Sequence, residues 1–102
     1  MKLRNAKTLF DTLRCDVWRI IPTVHVLFDH PERKFTADVI IGLIQGRGRL
    51  VDNKMPAAVS NSFMWLCKDE ADRPCELVIK FEPLDMSPNE MLLVISAYRK
   101  VK

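Results

Sequence analysis

Three apolar runs follow one another in the last third of the sequence. They are Ser62-Phe63-Met64-Trp65-Leu66-Cys67-Lys68, Cys75-Glu76-Leu77-Val78-Ile79-Lys80-Phe81 and Met91-Leu92-Leu93-Val94-Ile95-Ser96-Ala97-Tyr98-Arg99. Each run has the length of a β-strand and is rich in β-branched or aromatic residues. Residues 69–74 and 83–90 separate the runs and have turn-forming composition. We therefore predict three consecutive strands in one antiparallel sheet, with Leu50 and Val51 beginning a short additional strand.

Helical patterns fill the first half of the chain. Residues 5–21 place apolar side chains on one helical face, and Pro22 stops that helix. Thr23 is an N-cap candidate for a short helix from His25 to His30, which Pro31 ends. In that short helix the side chains expected to point inward are Val24, Leu27 and Phe28.

A third helix is predicted over residues 37–45. Thr36 is its N-cap candidate, Asp38 suits the positive end of the helix dipole, and Gly46 and Gly48 terminate it. Its buried stripe is expected to be Val39, Ile40, Leu43 and Ile44. Because helices come first and strands follow, the chain is predicted to be α+β: N-terminal helices packed on a C-terminal antiparallel sheet of three to four strands. Residues 1–102 are expected to form a single domain.

Composition places the chain among globular proteins and only weakly among nucleic-acid binders. Hydrophobic residues make up 48% and charged residues 28% of 102 positions, with a net charge of +3. The mildly basic balance permits RNA binding without demanding it. No apolar run approaches the roughly 20 residues that span a bilayer, so we expect no membrane association and a cytoplasmic location.

The cysteines and tryptophans are expected to serve packing. Cys15, Cys67 and Cys75 contain no C-x-x-C pair, and the two histidines do not lie at zinc-finger spacing from them. We therefore expect reduced cysteines, with no metal and no cofactor, although Cys67 and Cys75 flank a hairpin and could come close. Trp18 and Trp65 are expected in the core, and Trp65 has the alternative of stacking on a base.

A family resemblance rests on two segments. The first is His25-Val26-Leu27-Phe28-Asp29-His30-Pro31-Glu32-Arg33-Lys34-Phe35-Thr36, and the second is residues 91–102, which end Ile-Ser-Ala-Tyr-Arg-Lys-Val-Lys. Together with the strands between them, they resemble the RelE-like, barnase–EndoU–colicin–RelE (BECR) nuclease superfamily, in its phage-associated or BrnT-like branches. The resemblance covers about three quarters of the chain. It implies a metal-independent ribonuclease of toxin type, with RNA and an antitoxin or host protein as partners.

The chemistry of the residues is compatible with that activity. Cleavage through 2′-hydroxyl attack needs a base, an acid and cations around the pentavalent phosphate. His25 can serve as base or acid, Arg33 and Arg99 offer planar forks to phosphate oxygens, and Tyr98 or Ser96 can donate a hydrogen bond. We therefore predict His25, Arg33, Tyr98 and Arg99 as a catalytic group converging on one cleft. The cations predicted to bind RNA are Lys34, Arg47, Arg49 and Lys80.

Each of these residues also has a structural interpretation. His25 could be a satisfied histidine beside an apolar face, Arg33 and Lys34 a solvated bend, and Tyr98 and Arg99 the cap of a strand. The middle strands carry fewer cations than RelE-type toxins do, with Lys80 the only one in a central position. An alternative function is therefore a non-enzymatic phage- or plasmid-encoded protein that binds and inhibits a host protein complex.

Overall fold

The computed structural model describes residues 1–54, 62–83 and 90–100. Three α-helices and five strands make up its regular elements, with short 3-10 turns at Val17–Arg19 and Pro31–Arg33. The helices and strands are, in chain order, α1 Leu3–Leu13, β1 Ile20–Pro22, α2 Val24–Phe28, α3 Ala37–Gln45, β2 Gly48–Asp52, β3 Ser62–Lys68, β4 Pro74–Pro83 and β5 Glu90–Arg99. The predicted α+β class is confirmed. Most of the predicted connection at 83–90 lies outside the described residues.

One five-stranded sheet has the strand order β1-β5-β4-β3-β2. The three predicted strands are confirmed as antiparallel neighbours β3, β4 and β5, and the short strand at Leu50 and Val51 is confirmed within β2. The predicted count of three to four strands and the purely antiparallel arrangement are wrong. Strand β1 adds to the outer edge of β5 and runs parallel to it, with Ile21 opposite Leu93.

The strand that sequence reasoning missed lies where a continuous helix was predicted over residues 5–21. Helix α1 ends at Leu13, and the Asp16 side chain then accepts a hydrogen bond from the Trp18 amide at 3.0 Å, which caps a 3-10 turn. The chain continues into β1, where Pro22 is tolerated because an edge strand does not need every amide hydrogen. The apolar spacing after Leu13 therefore does not reflect a helical face.

The predicted caps of the next two helices are confirmed. Thr23 Oγ1 accepts from the Val26 amide at 3.5 Å and donates to the Val94 carbonyl at 2.9 Å, which fastens α2 to β5. Thr36 Oγ1 accepts from the Val39 amide at 3.3 Å at the start of α3. None of the helices in the described ranges is long and apolar enough to cross a membrane.

Several side chains expected inside lie outside. Val24 and Phe28 of α2 are 72% and 69% exposed, and Val26 is the buried residue of that helix. Val39 of α3 is also exposed, whereas the other members of its predicted stripe, Ile40, Leu43 and Ile44, are buried. Trp18 is 85% exposed, so its predicted packing role is wrong. Five-residue α2 is too short for apolar spacing to define which side faces the core.

The core joins the helices to one face of the sheet. It contains α1 side chains around Phe10, α3 side chains around Ile44, and alternate residues of the strands. Trp65 is 3% exposed, as predicted, and its Nε1 donates to the Leu43 carbonyl at 2.8 Å. The sheet residues in this core are Ile20, Leu50, Phe63, Trp65, Cys67, Cys75, Leu77, Ile79, Phe81, Leu92, Val94 and Ala97.

Cys67 and Cys75 lie directly opposite each other on β3 and β4. Both are buried, as expected of packing residues, whereas the packing role expected of Cys15 is wrong because Cys15 is exposed. Burial raises the pKa of the Cys67 thiol to about 12, so it is un-ionised at neutral pH. These two cysteines fill the core as small apolar side chains.

Candidate functional site

Arg33 is held against the free part of the last strand. Strand β1 pairs with β5 only from Leu92 to Val94, so it leaves the C-terminal half of that edge to other elements. The 3-10 turn Pro31–Arg33 lies there, and Arg33 Nη1 donates to the Ala97 carbonyl at 3.2 Å. The Arg33 guanidinium also lies 4.7 Å from the centre of the Tyr98 ring. A side-chain donor thus takes the place of a neighbouring strand at this edge.

Arg99 links three segments of the chain. Its Nε donates to Asp69 Oδ2 at 3.0 Å, and its Nη1 donates to the Arg33 carbonyl. Its guanidinium carbon lies 4.2 Å from the centre of the Phe35 ring. The side chain is 20% exposed, so most of its surface is committed to these contacts. Arg99 therefore has a structural role whatever it binds.

Asp69 accepts the hydrogen bonds that hold together a polar cluster of Asp69, Arg73 and Arg99. Its Oδ1 accepts from the amides of Ala71 and Arg73, and its Oδ2 accepts from the side chains of Arg73 and Arg99, all at 2.9–3.0 Å. The carboxylate is only 7% exposed. The hydrogen bond from the Arg73 backbone, followed by that from Arg99, lowers the pKa of Asp69 against the opposing effect of desolvation. Asp69 is therefore ionised and fixes both arginines.

The three arginines in these contacts, Arg33, Arg73 and Arg99, line an open cleft of about 540 Å³. Its lining carries four cations and one carboxylate, together with the Tyr98 side chain. Such a surplus of positive charge in a concave site favours anions with several oxygens, above all phosphate. We call this site the arginine cleft, and its lining residues are Glu32, Arg33, Lys34, Arg73, Tyr98 and Arg99.

Lys34 is positioned by an unusual backbone conformation. Its φ of 57° lies in the left-handed region, which terminates the Pro31–Arg33 turn. Asp72, in the segment between β3 and β4, also has a positive φ, of 61°. Lys34 therefore borders this cleft on a tight turn that costs backbone energy, a feature that concentrates at functional sites, whereas Asp72 lines the cleft that contains Arg47 and Arg49.

His25 stands apart from the lining of this cleft. Its Nδ1 lies against the carboxylate of Asp29 one helical turn away, and its side chain is 51% exposed. The His30 ring lies edge-on to His25 with 6.4 Å between ring centres, and His30 Nδ1 lies 3.2 Å from Glu32 Oε1. Glu32 lines the cleft, so a row of exposed histidines and carboxylates leads from α2 to its rim.

The structure separates the cations predicted to bind RNA. Lys34 lines the arginine cleft, whereas exposed Arg47 and Arg49 line a different cleft together with Lys68 and Lys100. Lys80 lies on central β4 and is paired with Glu82 at 2.6 Å. Of the predicted catalytic group, Arg33, Tyr98 and Arg99 are brought together, and His25 lies outside that contact set.

Sequence reasoning missed Asp69 and Arg73. Their spacing in Asp69-Glu70-Ala71-Asp72-Arg73 is that of an Asx turn, in which an aspartate side chain accepts from amides two and four residues on. That signal was visible in the sequence as a turn. Its meeting with Arg99, 30 positions away, was not visible because it depends on how β4 and β5 pair.

Comparison with protein-family models, curated proteins and solved structures finds no match to this chain. Within the described ranges, no group of three or more His, Cys, Asp or Glu side chains is arranged to hold a metal ion. What the protein does must therefore be argued from the cleft itself.

Proposed function

We propose that the protein is a small endoribonuclease that cleaves RNA by attack of the 2′-hydroxyl, with the scissile phosphate bound in the arginine cleft. The observation that carries the proposal is the meeting of Arg33, Arg73 and Arg99 with Lys34 and Tyr98 around one concave site. Planar guanidinium groups bind two phosphate oxygens at once, and they stabilise the extra negative charge of a pentavalent transition state. The resemblance to RelE-like nucleases points the same way.

The contacts of the arginines determine what each can contribute. Arg33 uses one Nη atom on the Ala97 carbonyl, and Arg99 uses Nε and Nη1 within the fold. The remaining guanidinium donors and the Lys34 ammonium are then available for phosphate oxygens. Tyr98 adds a hydroxyl donor beside them. This division lets the fold hold the arginines in place before the substrate arrives.

Proton transfer is assigned to His25 with Asp29 as its orienting partner. Asp29 binds His25 Nδ1, which favours the tautomer whose Nε2 is free to take a proton from the 2′-hydroxyl. The 2′-oxygen then bonds to phosphorus, and the 5′-oxygen leaves with a proton from an acid. The products are a 2′,3′-cyclic phosphate and a 5′-hydroxyl. His30, closer along the chain to the cleft residue Glu32, is the competing candidate.

The deciding experiment is digestion of single-stranded RNA in the presence of EDTA. Cleavage that leaves 2′,3′-cyclic phosphate ends is expected, and His25→Ala should reduce its rate by roughly two to four orders of magnitude. His30→Ala is the matched control on the neighbouring imidazole. If His30→Ala alone abolishes cleavage, the base is misassigned. If the wild type never cleaves RNA, the nuclease proposal fails.

The cleft arginines need a test that separates binding from folding. Arg33→Ala should weaken RNA binding in a salt-dependent manner and slow cleavage. Arg49→Ala removes an equal charge from the other cleft and should have a smaller effect on both quantities. Arg99→Lys should not restore the full rate because the bidentate fork is lost. Circular dichroism of each variant verifies that the fold persists. If Arg33→Ala and Arg49→Ala reduce the cleavage rate equally, the arginine cleft is not the site that binds the scissile phosphate.

A second candidate function is inhibition of a host protein complex without catalysis. It is favoured by the exposed apolar side chains Trp18, Val24 and Phe28, which flank the edge strand β1 and are 69–85% exposed. Exposed aromatic side chains are typical anchors of protein interfaces. A purified host protein that binds the wild type but not Trp18→Ser, in the absence of RNA cleavage, would support this function.

A further inference from the structure

Strands β3 and β5 are apolar on both faces, whereas the outward residues of the central strand β4 are Glu76, Val78, Lys80 and Glu82. In β3 and β5, residues that alternate with the core residues are also large and apolar, whereas a solvated sheet face is normally polar. The outward side chains are half-buried, and one of them, Val78 on β4, is 7% exposed. These apolar residues, which we call the outer face, are Ile21, Val51, Met64, Leu66, Val78, Met91, Leu93 and Ile95.

The outer face is separate from the core. None of its residues belongs to the apolar cluster that joins the helices to the sheet, nor to the partly buried residues packed against that cluster. Met64 of β3 and Ser96 of β5 lie opposite Val78 on its two neighbouring strands. Within the described ranges, the helices therefore cover one face of the sheet and leave the other apolar face without them.

The charged residues of β4 that lie on the same side of the sheet as the outer face are arranged so that they complement a second copy of themselves. Alternate residues of the central strand β4 place Glu76, Val78 and Lys80 in a line, negative, neutral and positive. A twofold axis across β4 at Val78 would bring Val78 against its own copy and Glu76 against Lys80 of the second copy. The same operation repeats the contact on the other side of the axis.

Two ion pairs within each copy lengthen the row of alternating charges along β4. Lys100 binds Glu76 at 2.6 Å, and Glu82 binds Lys80 at 2.6 Å. Across the twofold axis the order becomes Lys100, Glu76, Lys80, Glu82, with signs that alternate at every step. Packed sheets lie about 10 Å apart and cross at about 30°, which displaces positions two residues from the axis by roughly 3–4 Å. Glu and Lys side chains are long enough to bridge that geometry.

We propose that the outer face is the interface of a symmetric homodimer, in which β4 of one copy crosses β4 of the other. Four strands at about 4.8 Å spacing and four rows of side chains give a face on the order of 500 Å² per copy. That is a small interface, so a dissociation constant in the micromolar range is expected. This inference does not rest on the nuclease proposal, because no residue of Glu76, Val78 or Lys80 lines the arginine cleft.

The test is sedimentation equilibrium of the full chain from about 1 to 500 µM. The mass should rise from 11.8 kDa to twice that value with concentration. Lys80→Glu and Glu76→Lys should each weaken self-association at least tenfold, because each places like charges opposite each other twice. Mixing the two variants should restore dimerisation, since the mixed dimer has opposite charges at both contacts.

Lys7→Glu on α1 is the control, because it makes the same charge change on an exposed residue away from the outer face. It should leave self-association unchanged. Recovery in the mixture also rules out misfolding as the cause of dissociation, since a misfolded variant cannot rescue its partner. A wild type that remains monomeric at 500 µM overturns the proposal and leaves the outer face to a different protein. A dimer that persists in both single variants overturns the β4-on-β4 arrangement.

Discussion

The core beneath the sheet and the polar cluster at the end of β5 hold the fold in different ways. In the core, side chains such as Ile44, Leu77 and Leu92 are fully buried within one apolar cluster. In the polar cluster, Asp69, Arg73 and Arg99 join the β3–β4 connection to β5 through directional hydrogen bonds. The core owes its stability to apolar burial, which involves no ionisable group, whereas the cluster depends on charges that pH and electrostatic screening modulate.

Because the polar cluster both stabilises the fold and lines the cleft, some of its residues cannot be replaced without changing stability as well as binding. Arg99 both lines the cleft and ties Asp69 and the Arg33 carbonyl to the sheet. A loss of activity in an Arg99 variant would therefore mix lost binding with lost structure. Arg33 and Lys34 make fewer contacts within the fold, so their variants report more directly on binding.

The largest expected effect is in the core. Leu43→Ala removes an 8% exposed side chain from α3 and should reduce the free energy of unfolding by about 2–5 kcal/mol. Val39→Ala, one turn away and 36% exposed, is the matched control and should cost less than about 1 kcal/mol. Urea unfolding of both variants measures the difference. Equal costs would show that α3 does not bury its Leu43 side.

A smaller loss is expected from the polar cluster. Arg99→Ala removes the side-chain donor from the Arg33 carbonyl and one of the two charged donors from the Asp69 carboxylate, and it uncovers Phe35. We expect a loss of roughly 1–3 kcal/mol in unfolding free energy, the range for removing one partner of a buried polar group. Arg99→Lys should recover part of it. Thermal melts that are unchanged in Arg99→Ala would show that the cluster does not stabilise the fold.

The pH dependence of stability should identify Asp69. Because its pKa in the folded chain lies below the usual value of 3.8, ionised Asp69 stabilises the fold at neutral pH. That stabilisation is lost as the pH falls through the lowered pKa. As the pH falls below 3.8, the wild type should therefore lose stability more steeply than Asp69→Asn, which lacks the titrating group. Parallel curves from unfolding at several pH values would contradict this role.

The smallest effect is expected at Lys34. Lys34→Gly and Lys34→Ala both remove the ammonium from the cleft, so both should weaken RNA binding equally. Only glycine adopts the φ of 57° without strain, and the Gly variant should be the more stable by up to about 1 kcal/mol. Denaturant titrations compare the two. A more stable Ala variant would show that this turn changes its conformation when Lys34 is replaced.

Local patterns in the sequence were sufficient for much of the fold. The three apolar runs, the Thr23 and Thr36 caps and the glycine after Gln45 each act over a few residues, and each was placed correctly. Burial of Trp65 was also predictable from its place in an apolar strand. The failures fall where local signals are short, as at β1 and α2, because three to five residues do not establish a period.

The candidate site was only partly visible for the same reason. The sequence indicated Arg33, Tyr98 and Arg99 as phosphate ligands, and it could not show that Arg73 and Asp69 would join them. Their meeting requires the register of β4 on β5 and the parallel addition of β1, which are set by contacts between residues far apart in the chain. His25 is predicted from the chemistry of its imidazole, and its position relative to the cleft depends on how α2 packs against the sheet.

The sequence by itself determined the class of the fold and the strands at its centre, because hydrophobic period, turn residues and helix caps act locally. Only the tertiary structure decided which side the helices cover, that the first strand runs parallel to the last, and which arginines share one carboxylate. These outcomes depend on the pairing of distant segments, whose energies are summed over the whole sheet and are not encoded in any single stretch.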